Sequence, residues 1–224
     1  MKIVSFSCDI YADIVPAYHW LWQTLWPECP YEHVYVTNSK PLSVDATVHY
    51  IKGRDIDYGM RLRQFVKDHC ADNELILLMM ADYLLKAINI PVIEQAKKLC
   101  EQPRIAHCRL RPMPHPQLPP PKDVDSTVFG QIRKKSRYAL SLQPGIWRPH
   151  DIAKCVQDDF DPWHCETRGS QRTGQIKGML LCTQKPAIVH HNYYRKRKPF
   201  GPIWVKENVP REYWTGAARR AKRK

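Results

Sequence analysis

The sequence lacks the short motifs that mark several large enzyme classes. It contains no P-loop, no G-x-G-x-x-G, no G-x-S-x-G and no H-E-x-x-H. Each of these patterns places particular groups for chemistry: glycines around phosphates, a nucleophilic serine on a tight turn, or two histidines on zinc. Their absence argues against kinases, Rossmann dehydrogenases, serine hydrolases and zincins of the usual kinds.

Long apolar runs and paired cysteines are also missing. The longest apolar stretch, Leu75–Ala81, is too short to cross a bilayer, and the N-terminus has no stretch of signal-peptide length. None of the eight cysteines forms a C-x-x-C pair, so we predict reduced, packed thiols rather than zinc ligands or disulfides. These features predict a cytoplasmic protein without membrane insertion.

Acidic residues are scarce in the second half of the chain. Residues 1–103 carry 10 Lys and Arg against 13 Asp and Glu, whereas residues 104–148 carry 9 against 2 and residues 190–224 carry 11 against 2. The net charge of +13 therefore belongs to the second half, which indicates a polyanionic partner, nucleic acid above all. A solubilising surface with a disordered basic tail explains the same pattern.

Apolar periodicity predicts an α/β fold. We predict helices beginning near residues 16, 57, 91 and 149, and strands at residues 2–8, 33–37, 46–51, 75–80, 104–110, 138–142 and 188–194. Their order implies a mostly parallel, Rossmann-like sheet with helices on both faces. Six prolines within residues 111–122 predict an extended segment. We expect residues 1–194 to form one catalytic domain and residues 195–224 a basic C-terminal extension.

Acids follow three of the predicted strands. They are Asp9, the pair Asp55 and Asp57, and Asp82. Because ligands bind beyond the carboxyl ends of parallel strands, we expect these acids to share one crevice. Asp82 follows the buried strand Leu75–Met80, where carboxylates commonly bind a divalent metal that holds a pyrophosphate. A cap or a turn is the commoner role of a single aspartate.

Three further segments contain groups that suit chemistry. Asp161–Glu166 combines a proline turn, a tryptophan and a carboxylate that can act as a base. Gln143 and Trp147 flank a Pro-Gly pair and are candidates for acceptor contacts. Of the pair His190-His191, only one ring can face a crevice, because strand neighbours point to opposite sides. The alternatives are a surface turn, a packing tryptophan and a structural histidine.

The order of these segments resembles small GT-A-type glycosyltransferases, particularly bacterial and phage-encoded ones. The segments that carry the resemblance are G-R-D-I-D-Y at 53–58, L-I-L-L-M-M-A-D-Y-L-L at 75–85, A-L-S-L-Q-P-G-I-W at 139–147 and D-P-W-H-C-E at 161–166. The resemblance covers residues 1–194, and the order of the motifs is more specific than any one of them.

The resemblance implies a nucleotide-sugar donor, such as a UDP-sugar, with Mn²⁺ or Mg²⁺ bridging its phosphates. By position, Asp82 matches the metal-binding acid, which would bind the metal with help from His190 or His191 or through water. Glu166 matches the base toward the acceptor hydroxyl. Ala81 stands where the family often has a second acid. The expected donor-binding residues are Cys8, Asp9, Arg54, Asp57, Arg61 and Asp82. The expected acceptor-binding residues are Gln143, Trp147 and Trp163.

Two basic segments lead to the acceptor hypothesis. They contain Arg133, Lys134, Lys135 and Arg137, and Arg195, Lys196, Arg197 and Lys198. Cations interleaved with aromatics can follow phosphates and stack on bases, and neither segment forms an amphipathic helix with a broad apolar face. We therefore expect the acceptor to be a hydroxymethylated pyrimidine in double-stranded phage DNA. The alternatives are a glycosyltransferase that acts on a surface or capsule glycan, and a non-catalytic nucleic-acid-binding protein.

Overall fold

The computed structural model describes residues 1–195, 198–199 and 201–213. The strands are β1 (Lys2–Phe6), β2 (His33–Thr37), β3 (Thr47–Tyr50), β4 (Ile76–Met80), β5 (Tyr83–Ile88), β6 (Ile105–Arg109), β7 (Phe129–Ile132), β8 (Gly145–Trp147), β9 (Met179–Thr183), β10 (Ile188–Asn192), β11 (Tyr194–Arg195) and β12 (Lys198–Pro199). The helices are α1 (Val15–Leu25), α2 (Tyr58–His69), α3 (Ile90–Glu101), α4 (Pro149–Cys155), α5 (Pro162–Arg172) and α6 (Gly201–Asn208), with 3₁₀ turns at Thr173–Gln175 and Arg211–Tyr213.

Eight strands form the central sheet, in the order β3-β2-β1-β4-β8-β6-β9-β7. The first four are parallel to one another, and so are β6 and β9. Strand β8 runs antiparallel to both of its neighbours, β4 and β6, and β7 runs antiparallel to β9 at the far edge. The prediction of a mostly parallel sheet is therefore confirmed. Strand β5 pairs with β10 outside this sheet.

Each face of the sheet is covered by its own hydrophobic core. Alternate residues of a strand point to opposite faces, so Leu77 and Met79 of β4 join the core under α1 and α3. Ile76 and Leu78 of the same strand join the core under α2, α4 and α5. Burial on both sides explains why β4 is a continuous apolar run, and it confirms the prediction of helices on both faces.

Helix α5 was not predicted, although its start is encoded locally. Asp161 is the N-cap, and its carboxylate accepts a hydrogen bond of 2.7 Å from the backbone N of His164. Pro162 occupies the first helical position, where a missing N–H costs nothing. The segment expected to be a proline turn is therefore a helix of three turns that carries Glu166 on its second turn.

The predicted strand at residues 138–142 is wrong. This segment is irregular, and Tyr138 has a positive φ of 59° that a strand does not allow. The strand begins instead at the glycine of the Pro-Gly pair, as β8 (Gly145–Trp147). Strands β5, β7 and β9 were also missed. Only two residues separate β5 from the end of β4, so the two strands form one apolar pattern, and β7 and β9 have only four and five residues.

Two simpler predictions are confirmed. The proline-rich segment 111–122 contains no helix or strand and makes one isolated bridge, between Leu118 and Gln131. All eight cysteines are free thiols, and five of them are buried.

Helix α2 approaches the loop before α5 closely at Gly59. The backbone N of Gly59 donates to the carbonyl of Phe160 at 2.8 Å. A Cβ at position 59 would lie 2.0 Å from the carbonyl oxygen of Gln157 and 3.0 Å from that of Phe160. Only glycine allows this backbone contact, which fixes the N-terminus of α2 against the start of α5.

We expect Gly59→Ala to destabilise the fold, although alanine normally favours a helix. The clash with backbone atoms should cost about 2 kcal/mol, the usual range for overpacking, and should lower Tm by roughly 4–8 °C. Gly174→Ala is the matched control, because its Cβ would meet only the flexible side chain of Lys135. Equal Tm values for the two variants, measured by thermal unfolding, would contradict the close approach.

Candidate active site

The loops that follow β1 and β2 meet at the carboxyl edge of the sheet. The backbone N of Asp9 donates to Oδ1 of Asp55 at 3.2 Å. The carboxylate of Asp9 accepts from Ser39 N at 3.0 Å, from Ser39 Oγ at 2.6 Å and from Lys40 N at 2.8 Å. Burial opposes the charge of Asp9, but these donors outweigh it and lower its pKa. Asp9 and Asp55 thus lie in one crevice, as predicted.

The buried side chain of Arg61 is hydrogen-bonded to both of these loops. Its side chain is 1% exposed, and Nη1 donates to the carbonyl of Ser7 at 2.9 Å and to Oδ1 of Asn38 at 2.7 Å. The amide of Asn38 in turn donates to Asp55 at 3.1 Å. Burial lowers the pKa of Arg61, and the neighbouring acids oppose this effect. Arg61 therefore orders the predicted donor pocket from within the core.

Arg54 and Asp57 lie on the outer rim of this crevice. The guanidinium of Arg54 binds the carboxylate of Asp57 at 2.8 Å, and the backbone N of Arg54 donates to it as well. Cys8 lies nearby and is partly exposed, and burial raises the pKa of its thiol to about 11. Cys8 is therefore a neutral thiol at neutral pH. The donor-binding roles of these three residues remain predictions.

Asp82 lies at the bend between β4 and β5. The neighbouring Ala81 donates its backbone N to the carbonyl of Phe6 at 2.9 Å, so the ends of β4 and β1 are adjacent. The side chain of Asp82 is partly buried, and burial raises its pKa to about 6. Within the described residues, no cationic side chain forms an ion pair with it. The carboxylate is thus close to the crevice, desolvated and without a counterion.

Glu166 projects from α5 toward the loop that precedes β8. Its Oε1 accepts hydrogen bonds of 2.8 Å from Ser141 Oγ and 2.8 Å from Leu142 N. These two donors fix the carboxylate, while Oε2 has no hydrogen-bond partner among the residues described. Glu166 lines a cavity of about 500 Å³ together with Gln143 and with Pro112–His115 of the proline-rich segment.

A stacked group forms the next part of the site. The ring of His190 lies 4.1 Å from that of Tyr83, at an interplanar angle of 12°. Nε2 of His190 is 2.6 Å from Nη1 of Arg111 and 3.2 Å from Oε1 of Gln143. His190 is 2% exposed, whereas its neighbour His191 is partly exposed, so the pair points to opposite sides as predicted.

The predicted metal site at Asp82 and His190 does not fit this arrangement. Arginine can only donate, and Nη1 of Arg111 lies 2.6 Å from Nε2 and 3.2 Å from Nδ1 of His190. In either tautomer the single lone pair of the neutral ring is therefore directed to Arg111 and is not free to bind a metal. Burial, Arg111 and His191 lower the pKa of His190 to about 3, and the guanidinium would repel a second cation. Within residues 1–195, 198–199 and 201–213, no group of three His, Cys, Asp or Glu side chains is arranged to hold a metal ion.

The predicted acceptor contact of Trp147 is also wrong. Trp147 is fully buried in β8, and its ring stacks on His107 with 3.6 Å between centroids. It is therefore the packing tryptophan that the sequence left as the alternative. Trp163 is 57% exposed on α5 and makes an edge contact with Tyr138. Tyr138 in turn lines the cavity at Glu166.

The basic segment before β8 lies beside the same cavity. Arg133, Lys135 and Arg137 are exposed, and the guanidinium of Arg137 lies 5.1 Å from the ring centre of Tyr138. Lys134 is partly buried because its Nζ donates to the carbonyl of Ile176. The side chains of the second predicted segment, Arg195, Lys196, Arg197 and Lys198, lie outside the described part of the structure.

Sequence reasoning missed Arg111, Tyr83 and Ser141. Arg111 follows β6 at the carboxyl edge of the sheet, in the position that singled out Asp82 after β4. The same rule could have found it, but the adjacent prolines drew the interpretation toward an irregular segment. Tyr83 directly follows Asp82, and nothing in the sequence around it indicates a stack on the distant His190.

Comparison with known proteins finds a similarity of fold. No protein-family model matches the sequence, and a sequence comparison with curated proteins finds no match. Among solved structures, the chain is similar to residues 1–349 of S. aureus TarS, with a TM-score of 0.50, 14% identity, and coverage of 84% of this chain and 59% of that one. Against a second S. aureus TarS structure the TM-score is 0.50 at 13% identity, with coverage of 84% and 36%.

A third similar structure is that of galactosyltransferase LgtC in complex with donor and acceptor sugar analogs. Its TM-score is 0.47 at 12% identity, with coverage of 97% of this chain and 100% of that one. The chain spans less than two thirds of either TarS structure. The fold is that of the GT-A glycosyltransferases, which confirms the fold prediction. No helix in the described ranges is both long enough and apolar enough to span a membrane.

The raised pKa of Asp82 predicts a measurable effect on stability. Its folded-state pKa of about 6 lies above the ordinary value of 3.8, so the folded protein binds this proton more tightly. Stability should therefore fall as pH rises from about 4 to about 6. We expect Asp82→Asn to remove this loss and to be more stable than the unmodified protein by about 3 kcal/mol at pH 7.

Denaturant unfolding at pH 4 to 8, with EDTA present, measures this difference. The two proteins should converge near pH 4 and diverge above pH 6. The exposed Asp159→Asn is the matched control. An Asp82→Asn curve parallel to that of the unmodified protein would show that Asp82 is well solvated.

Proposed function

We propose that the protein transfers a sugar from a nucleotide-sugar to a hydroxyl acceptor, with Glu166 as the base. The observation that carries this proposal is the state of the Glu166 carboxylate. Ser141 and Leu142 fix one of its oxygens, while the other has no hydrogen-bond partner among the described residues. This carboxylate lines a cavity of about 500 Å³, which has room for a sugar and the reacting hydroxyl.

The GT-A fold supports a donor at the carboxyl edge of the sheet. There, the ordered loops around Asp9, Asn38 and Asp55 present backbone and carboxylate groups suited to a nucleoside. Arg61 holds these loops in place. The donor sugar then lies toward Asp82 and the cavity at Glu166. Cys8, Arg54 and Asp57 line the nucleoside side of this donor site.

The chemistry is a displacement at the anomeric carbon. Glu166 takes the proton of the acceptor hydroxyl, and the acceptor oxygen forms a bond to the anomeric carbon as the bond to the diphosphate breaks. The electron pair of the broken bond goes to the diphosphate. Direct attack of this kind inverts the configuration. Gln143 lines the cavity beside Glu166 and positions the acceptor.

We expect Glu166→Gln to lose transfer by at least a hundredfold, because a positioned general base typically contributes 10²–10⁴-fold. Glutamine keeps an acceptor oxygen for Ser141 and Leu142, so donor binding and Tm should change little. The assay incubates the protein with hydroxymethylcytosine-containing DNA and a panel of nucleotide sugars. Nucleoside mass spectrometry then reads out any sugar on the base.

Glu28→Gln on the exposed chain after α1 is the control for a lost carboxylate. Full activity of Glu166→Gln would exclude Glu166 as the base. Donor hydrolysis or transfer by the unmodified protein separates an enzyme from a non-catalytic nucleic-acid-binding protein.

For the acceptor, we propose a hydroxymethylated pyrimidine flipped out of double-stranded DNA. Arg137 contacts Tyr138, which lines the cavity, and Arg133 and Lys135 are exposed on the same short segment. Cations in this position suit the phosphates that flank a flipped base, and the exposed Trp163 suits stacking on the base itself.

A surface or capsule glycan is the second candidate. The exposed edge contact between Trp163 and Tyr138 also suits the apolar face of a sugar ring. Such an acceptor has no need of the neighbouring cations. Modification of a glycan in the same assay, with no sugar on any base, would favour this candidate.

We expect joint replacement of Arg133, Lys135 and Arg137 by alanine to weaken duplex DNA binding and to reduce its salt dependence. Each lost phosphate contact lowers the slope of log K against log salt by about 0.9, so the slope should fall by up to about 2.7. The control replaces three other exposed cations, Lys98, Lys122 and Lys185. An equal slope in the two triple variants would exclude the basic segment as the DNA contact.

A further inference from the structure

Arg111 is a cation at the site without an acidic partner. It follows β6, and its guanidinium is partly buried. The only side chain it is hydrogen-bonded to, among the described residues, is the uncharged ring of His190. Burial lowers the pKa of Arg111, but an arginine keeps its proton in proteins. A partly desolvated charge without an ion pair carries a cost, which indicates that an anionic ligand completes this site.

The position of Arg111 identifies where that anion lies. Strand β8 is antiparallel to both β4 and β6, so β4 and β6 run in the same direction and end at the same edge. Asp82 follows one of these strands and Arg111 the other. The hydroxyl of Tyr83 lies in the electrostatic field of Asp82, Glu166 and Arg111 together. Arg111 therefore faces the crevice between the proposed donor loops and the base.

The surroundings of Arg111 fix its orientation. The ring of His190 stacks on Tyr83 and accepts a hydrogen bond from Nη1 of Arg111. Oε1 of Gln143, which can only accept, lies 3.2 Å from Nε2 of the same ring, and Gln143 also lines the cavity at Glu166. One Nη1 donor is thus used to hold the guanidinium, and the other N–H groups of its planar fork remain for oxygen ligands such as phosphate.

The same residues do not fit the divalent metal that a GT-A fold leads one to expect. Ala81 stands where a second carboxylate would be needed. The ring of His190 accepts a hydrogen bond from Arg111, and the guanidinium already places a positive charge at the site. We propose that Arg111 binds the diphosphate of the donor and neutralises it in place of a metal ion. This inference rests on the proposed function and names the group that stabilises its leaving diphosphate.

In the transfer step, the acceptor oxygen bonds to the anomeric carbon and its proton goes to Glu166. The bond between that carbon and the diphosphate oxygen breaks, and the electron pair remains on the diphosphate. Arg111 keeps its protons throughout and donates hydrogen bonds to the phosphate oxygens as their charge grows. Asp82, close to the same crevice, is left to contact the donor sugar or the acceptor rather than a metal.

Calorimetric titration tests this assignment. UDP, GDP, CDP and ADP are titrated into the full chain, and the tightest of them is compared with its monophosphate. Each titration is run once in EDTA and once in Mn²⁺. We expect diphosphate binding to be equal within about twofold in the two conditions. Arg111→Ala should weaken diphosphate binding by roughly 10- to 100-fold, as for loss of charge-assisted hydrogen bonds, and monophosphate binding by less than threefold.

Two further variants guard against a folding effect. Arg111→Gln removes the charge but can still donate to His190, so it should fold normally and lose diphosphate binding as Arg111→Ala does. Arg168→Ala, on the exposed side of α5, is the matched control for a lost arginine. Arg111→Gln with unchanged diphosphate affinity would overturn the proposal.

The outcomes also separate this inference from the proposed function. Diphosphate binding that disappears in EDTA and returns with Mn²⁺ would show a metal site, which overturns the role of Arg111 and leaves a nucleotide-sugar donor in place. No binding of any nucleoside diphosphate in either condition would overturn both proposals.

Discussion

The site depends on the direction of the three-residue strand β8. Because β8 is antiparallel to β4 on one side and to β6 on the other, it restores the common direction of these two strands across a single sheet. Asp82 and Arg111 therefore emerge at the same edge. The same strand begins where its neighbours end, so the residues just before it lie at that edge too. This is why Leu142 N can orient Glu166 and why Gln143 reaches His190.

The parallel half of the sheet was predictable because burial on both faces leaves a clear mark on the sequence. The run ending at Met80, the acids after the strands and the Pro-started helices follow from local chemistry. The direction of β8 could not be predicted in this way, because a strand of three residues is too short to show an apolar pattern. Trp147 shows the consequence: beside a Pro-Gly pair it looked like a contact residue, whereas β8 places it in the core against His107. His190 was expected to bind a metal, but in the structure its ring contacts Arg111. These two residues are 79 positions apart in the sequence, so no local pattern could indicate the contact.

The charges at this edge are kept separate rather than paired. Asp82 is desolvated without a cation, and Arg111 is desolvated without an anion, among the described residues. An ion pair between Asp82 and Arg111 would stabilise the fold. Instead, the guanidinium of Arg111 is held by His190, whose ring is stacked on Tyr83. Such unrelieved electrostatic cost is typical of functional sites, where the ligand provides the missing partner.

This separation also limits which ligand suits the site. A ligand that contacts both Arg111 and Asp82 must bring its negative charge to Arg111 and keep that charge away from the carboxylate of Asp82. Its anionic part must therefore be separate from a part whose hydroxyl groups can donate to Asp82. A nucleoside diphosphate-sugar has this division, with the diphosphate toward Arg111 and sugar hydroxyls toward Asp82 and the cavity at Glu166. A nucleic-acid backbone does not, because its phosphates recur at every step. The inner edge of the site therefore suits a donor, and the exposed cations around Tyr138 are the part left for an anionic acceptor.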